Sequence, residues 1–137
     1  MAADNFIIKI FTPQGQLAED VSSGARLPAS DGEIGVLPQH AKYVALLGTG
    51  ILEYQTHPAG VLKKLAVCGG ICTFQDDLLT VMADRAATPE AARLTVGLGQ
   101  REELLEILSS GTYDDPEAVS ARAELEYLDA IEKVAGR

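Results

Sequence analysis

The densest grouping of chemically capable side chains beside apolar sequence is Asp31, Glu33 and His40. Two carboxylates and an imidazole could act as a general acid–base set, which makes a small hydrolase or isomerase one reading of the chain. The bland alternative is strong: Asp31-Gly32 is a turn dipeptide, and acids near a loop are ordinarily solvated. Cys68 and Cys72 stand four apart around Gly69-Gly70-Ile71. A disulfide staple needs an extracellular setting, and a zinc site needs two further ligands from only two histidines. Both cysteines are expected to be reduced core residues. His57 precedes Pro58 in an expected turn and reads as an exposed loop residue. No P-loop, Gly-x-Ser-x-Gly elbow, His-Glu-x-x-His or calcium loop occurs. Gly97-Leu98-Gly99 lacks the third glycine and the preceding strand of a dinucleotide fingerprint. Catalytic, metal-binding and cofactor residues are therefore not assigned.

The elements around these residues change character once. Residues 1–84 read as short extended runs closed by turn signals: Asn5–Phe11, Lys42–Leu47, Ile51–Thr56, Val61–Cys68, Ile71–Phe74 and Leu78–Ala83. Thr12-Pro13-Gln14-Gly15, Gly48-Thr49-Gly50, His57–Gly60, Gly69-Gly70 and Gln75–Asp77 supply the hairpin punctuation. Many short strands at this spacing predict a sandwich or flattened barrel. After Asp84, Thr88-Pro89-Glu90 offers a capping hydroxyl, a first-turn proline and an acid, and Leu94, Leu98, Leu105 and Leu108 follow at helical spacing. Gly97 and Gly99 weaken that helix. Asp115-Pro116-Glu117 repeats the start signal, and Ala121, Leu125, Leu128, Ile131 and Ala135 form one stripe. Glu102, Glu103 and Glu106 read as its neighbour's wet side. The expected fold class is α+β: an N-terminal antiparallel β-sandwich, residues 1–86, followed by a C-terminal two-helix antiparallel hairpin, residues 87–137. A helix pair this short has too little core to stand alone, so it must lean on the sandwich or on a partner.

Composition narrows the function classes. The 137 residues are 47% hydrophobic and 23% charged, with 20 acids against 11 bases and a net charge of -9. An acidic chain is repelled by phosphate backbones and anionic headgroups, so no nucleic-acid partner is expected. The longest apolar runs fall far short of a membrane span, so no direct membrane insertion is expected either. No signal or transit peptide is visible in Met1–Ile10, which points to cytoplasmic residence.

The string Pro28-Ala-Ser-Asp-Gly-Glu-Ile-Gly-Val-Leu-Pro-Gln-His-Ala41 follows Thr12–Gly15 and precedes Gly48-Thr-Gly-Ile-Leu52. With Val67-Cys-Gly-Gly70 and Leu79-Thr-Val-Met-Ala-Asp-Arg-Ala86, it resembles in order and spacing the epsilon subunit of bacterial F-type ATP synthases, over about residues 6–86. The resemblance implies a non-catalytic subunit of the rotor central stalk that binds the gamma subunit and the c-ring. It further implies coupling of proton or sodium translocation to ATP synthesis from a peripheral position on the cytoplasmic face of the bacterial inner membrane. The motif maps the c-ring contact onto Asp31, Gly32, Glu33, Ile34, Gly35, Val36, Pro38 and His40. The C-terminal helices would be the part able to reach the alpha/beta catalytic head and restrain hydrolysis. Two departures qualify the match: Lys42 stands where members often carry proline, and Glu90-Ala-Ala-Arg-Leu-Thr95 does not reproduce the ATP-binding motif of the hairpin, so no nucleotide-binding residues are assigned. Residues 116–135 set Arg122 and Lys133 against Glu117, Glu124, Glu126, Asp129 and Glu132. An acidic helix is repelled by an acidic segment of the head, so weak restraint is expected. A free-standing binding module with a helical cover is the remaining alternative.

Overall fold

The computed structural model describes residues 4–95, 100–110 and 116–135. Among these residues the strands are β1 (Phe6–Thr12), β2 (Gly15–Ala29), β3 (Gly32–Val36), β4 (Tyr43–Leu46), β5 (Thr49–Thr56), β6 (Leu62–Gln75) and β7 (Leu78–Ala87). The helices α1 (Pro89–Thr95), α2 (Gln100–Ser110) and α3 (Pro116–Val134) follow. The architecture is the expected α+β sandwich with helices after it. Every strand pairing is antiparallel except β1 with β7, which is parallel and brings the first strand beside the last.

Two long strands join the layers. β2 pairs with β1 through its first half and with β5 and β3 through its second, with a register shift between Ser22 and Gly24. Ser22 is buried at that irregularity, and its hydroxyl donates to the Gly24 carbonyl at 3.0 Å and accepts from the Gly24 amide at 3.1 Å. This satisfies the polar groups that a bulge would otherwise strand. β6 pairs with β5 through Leu62–Cys68 and with β4 through Ile71–Phe74.

The turn expected at Gly69-Gly70 is therefore corrected to a point inside one strand. β6 stays in register with β7 on both sides, from Ala66↔Ala87 to Gln75↔Leu78. Gly70 has φ 116, and a Cβ there would be driven into the Met82 carbonyl oxygen of β7. Glycine serves here to let two backbones approach while the strand bends, not to reverse the chain. The actual β6–β7 turn is Asp76-Asp77, with φ 54 and 56, the left-handed pair that a two-residue hairpin requires.

The core lies between the layers. Phe6, Ile8, Ile10, Leu27, Leu52, Tyr54, Phe74 and Val81 are among its buried members, and the Phe6 and Phe74 rings meet edge-on at 5.6 Å. Cys72 belongs to this core, and burial pushes its thiol pKa up. Cys68 is half-buried and belongs to a second cluster.

That second cluster joins the helices to the outside of the sheet. Ala66, Ala87, Ile51 and Cys68 pack against Ala92 of α1 and against Tyr127, Ala130, Ile131, Val134 and Ala135 at the end of the chain. The strand-to-helix change falls between Ala87 and Pro89, and Thr88 caps α1, its hydroxyl accepting from the Ala91 amide at 3.3 Å. The expected long first helix is described as two pieces; Leu98, Gly97, Gly99 and the Asp115 start signal lie outside the described residues, as does the Leu94 side chain. Of the expected α3 stripe, Ala121, Ile131 and Ala135 are buried while Leu125 and Leu128 are half-buried. No helix among the described residues is long and apolar enough to cross a membrane.

Candidate functional site

The Asp31–His40 segment begins at the tip of the β2–β3 hairpin. Ala29 pairs with Gly32, so Ser30 and Asp31 form a two-residue turn, and Gly32 takes φ 137 to close it. Asp31, Gly32 and Glu33 are exposed. The tip is braced from behind: the Ser30 amide donates to the Leu46 carbonyl at 3.0 Å, and the Gly48 amide donates to the Pro28 carbonyl at 2.8 Å. Behind that, the Leu47 amide donates to the Gly70 carbonyl at 2.9 Å and the Gly69 amide to the Gly48 carbonyl at 3.0 Å. Four stretches distant in sequence, around Pro28, Gly48, Gly70 and Met82, are thus stacked in one belt beneath the tip.

Glu33 lies on strand β3 and not on a loop. Its Oε1 accepts from Arg26 Nη2 at 2.6 Å, and Arg26 Nη1 reaches Glu53 Oε1 at 3.4 Å. Lys64 Nζ stands 3.9 Å from the other oxygen of Glu53. Glu33, Arg26, Glu53 and Lys64 make a ladder of alternating charge across β3, β2, β5 and β6. The hydrogen bond to Glu33 is the main cause holding the Arg26 guanidinium pKa above its ordinary value. The carboxylate at Glu33 is therefore pre-oriented.

Further along, Ile34 is half-buried opposite Leu27, Gly35 is exposed opposite Arg26, and Val36 is buried in the core. Pro38 and His40 follow beyond the far end of β3. The Gln39 amide donates to Asp77 at 2.8 Å, His40 Nδ1 lies 2.8 Å from the Ala41 carbonyl oxygen, and the His40 ring meets Phe74 and Tyr43 edge-on. The five residues of β3, a length of roughly 13 Å, lie between Asp31 and this corner. A carboxylate–imidazole acid–base pair is not assembled between Asp31 and His40. His57 is half-buried in the β5–β6 turn with Nε2 3.8 Å from Asp4. Among the described residues, no three His, Cys, Asp or Glu side chains are grouped to hold a metal ion.

A second surface escaped the sequence reading. Cross-strand register places Leu46, Ile71, Met82 and Phe11 in one row over β4, β6, β7 and β1, with Val44 beside it. Leu46 and Val44 are 63% and 65% exposed, and Met82 45%. Strand alternation in Val44, Ala45, Leu46 gives only a weak signal for this, because β4 is apolar on both faces. Ile71 and Phe11, both half-buried, continue the apolar face between and beside those exposed side chains.

A small sandwich with a braced acidic hairpin tip, an uncovered apolar row and helices laid against one side defines a class of protein that works by the surfaces it offers. The description "ATP synthase, Delta/Epsilon chain, beta-sandwich domain" matches residues 5–89, more than half of the chain. The chain belongs to this family, as an epsilon subunit of the F-type ATP synthases. It is 31% identical to the ATP synthase epsilon chain of Syntrophomonas wolfei over 137 aligned residues, covering 98% of this chain and 95% of that one. Its fold is shared by a chain of the Euglena gracilis mitochondrial ATP synthase, in a structure of OSCP/F1/c-ring in rotational state 1, with a TM-score of 0.81 and 20% identity. That match covers 98% of this chain and 84% of the other. A chain from the central stalk/c-ring structure of the Tetrahymena thermophila mitochondrial enzyme shares the fold with a TM-score of 0.62 and 11% identity, covering 97% of this chain and 98% of the other.

Proposed function

We propose that this chain is a subunit of the rotor central stalk that binds the gamma subunit and the c-ring and couples ion translocation, of protons or sodium, to ATP synthesis. It performs this role without catalysing a reaction, from a peripheral position on the cytoplasmic face of the bacterial inner membrane. Family membership and the stalk and c-ring assemblies in which the same fold occurs support this reading. Function divides in the same order along the chain: residues 1–86 make the rotor contacts, and residues 87–137, which include the last residue of β7, form the part that reaches toward the alpha/beta head.

The observation that carries the reading is the braced β2–β3 tip. Torque transmission needs a contact that does not yield, and here Asp31 and Glu33 are exposed on a turn hydrogen-bonded to Leu46 and Gly48, with Glu33 held by Arg26. Asp31, Gly32 and Glu33 offer backbone and carboxylate to basic or amide groups on the ring's polar loops. Ile34, Gly35 and Val36 anchor that contact in the sheet, and Pro38 and His40 extend it at the far corner. The apolar row of Leu46, Ile71, Met82 and Phe11 is the surface we assign to gamma, since a stable subunit contact needs an apolar centre. Restraint of hydrolysis is weak, because α3 carries more acids than bases and meets an acidic partner unfavourably.

Glu33→Arg sets a second guanidinium against Arg26 and reverses the charge offered to the ring. ATP synthesis driven by an ion gradient in reconstituted vesicles should fall about tenfold, while the variant chain keeps its fold by circular dichroism. Arg26→Ala, which removes the internal partner and leaves the carboxylate, should retain most of the coupling. Equal coupling in wild type and Glu33→Arg would remove Glu33 from the ring contact.

A further inference from the structure

Five of the eight buried residues at the helix–sheet seam are alanines, and one long side chain from the sandwich reaches across to α3. Arg85, near the end of β7, ion-pairs with Glu124 of α3, and its guanidinium carbon lies 4.3 Å from the centre of the Tyr127 ring. Tyr127 is buried in the helix–sheet cluster, whose sheet side is Ala66, Ala87, Ile51 and Cys68. Cys68 is the β6 residue directly opposite Arg85 in the β6–β7 register. The same guanidinium thus lies over the aromatic ring and satisfies an acid of the helix, from a strand position whose cross-strand partner is the half-buried Cys68.

We propose that Arg85 is a clamp that sets whether the C-terminal helices lie on the sandwich or come away from it. Alanine contacts supply little transfer free energy compared with Leu or Phe, so the balance is sensitive to one cation held over a desolvated ring and paired with a carboxylate. Attraction across the interface is also selective in sign, since α3 is acidic and Arg85 brings a positive charge of the sandwich to Glu124. Salt weakens the ion pair, whose side chains are 48% and 38% exposed. The ring contact is less screened because Tyr127 is 4% exposed. Planar stacking on Tyr127 suits arginine and not lysine, so the identity of the cation matters. Arg85 is a positioning residue here, and the clamp stands whether or not the β2–β3 tip meets the ring.

The two cysteines provide the readout in the full-length chain. Cys68 lies at the helix–sandwich seam, whereas Cys72 is closed within the sandwich core. In wild type, a small maleimide should label Cys68 slowly and Cys72 far more slowly. Arg85→Ala should raise the Cys68 rate about tenfold, in proportion to the open population, and leave Cys72 protected; Arg85→Lys should give a smaller rise. Glu124→Gln, changed only on the helix, should also raise the Cys68 rate, and added salt should raise it in wild type more than in Glu124→Gln. Unchanged Cys68 labelling in Arg85→Ala overturns the clamp. If Arg85→Ala exposes both cysteines, the sandwich itself has been lost, and Glu124→Gln then decides: Cys68 as slow as in wild type in that variant also overturns the clamp.

Discussion

In the sandwich the buried residues are large, with Phe6, Ile8, Ile10, Leu52, Tyr54 and Phe74 at most 2% exposed, whereas much of the helix–sheet seam is Ala66, Ala87, Ala92, Ala130 and Ala135. Each large side chain contributes roughly 1.5–3 kcal/mol on burial, and an alanine far less. The sandwich therefore holds itself together, while the helical pair rests on Tyr127, Ile131, Val134 and the Arg85 contacts. Side-chain size thus separates a cluster of large residues inside the sandwich from an alanine-rich one beneath the helices. Both regions also bury a tyrosine, and they treat it differently. Tyr54 donates to Asp20 at 2.5 Å, and burial first, then Asp20, push its pKa up. Burial raises the Tyr127 pKa too, but the neighbouring Arg85 opposes it.

The largest test of this contrast is Gly70→Ala. The added methyl meets the β7 backbone at a positive φ, and the sandwich should lose about 3–5 kcal/mol in urea unfolding. A loss below about 1 kcal/mol would mean that the bend in β6 tolerates a side chain. Ile131→Ala should cost about 2 kcal/mol, and the loss should be confined to the helices: α3 amides exchange faster while β1 and β7 amides keep their protection. Equal acceleration in both would show that sandwich and helices open as one unit. The smallest effect is alkaline. Between the unfolded tyrosine value of 10.0 and its higher folded value, the folded state of Tyr54 retains a proton that the unfolded state has lost. Stability is full below pH 10 and declines above it, with a slope of up to about 1.4 kcal/mol per pH unit from this group. Tyr54→Phe should flatten that decline without removing the part due to Tyr127. An unaltered slope would place the alkaline sensitivity elsewhere.

Much of the fold is legible along the chain because it depends on neighbours in sequence. A turn does form at Asp31, with Ser30, and Gly32 opens the next strand; Phe6–Phe11 and Leu78–Ala83 fall within β1 and β7, with Asn5 just outside, and Thr88-Pro89 does begin a helix. Reading Gly69-Gly70 as a turn failed because a glycine pair permits either a reversal or a close approach, and only the presence of β7 beside β6 selects the second. The length of β2 was hidden for a related reason: one strand serving two layers changes its buried face at Ser22–Gly24, so no single alternation runs through it. Of the candidate contact, the exposed Asp31 and Glu33 were readable, but the pairing of Glu33 with Arg26 and the distance of His40 were not, since both depend on strand register.

By itself the sequence determined the local matters: where chains turn, where a helix is capped, the acidic balance of α3, and a motif order that belongs to the ATP synthase epsilon subunits. Tertiary structure alone decided which glycine stretches stack beneath the hairpin tip, which apolar residues remain uncovered on β4, β6 and β7, and which arginine grips the helices. Those outcomes arise between strands and helices far apart in the chain, where one residue of register moves a side chain from the core to the surface.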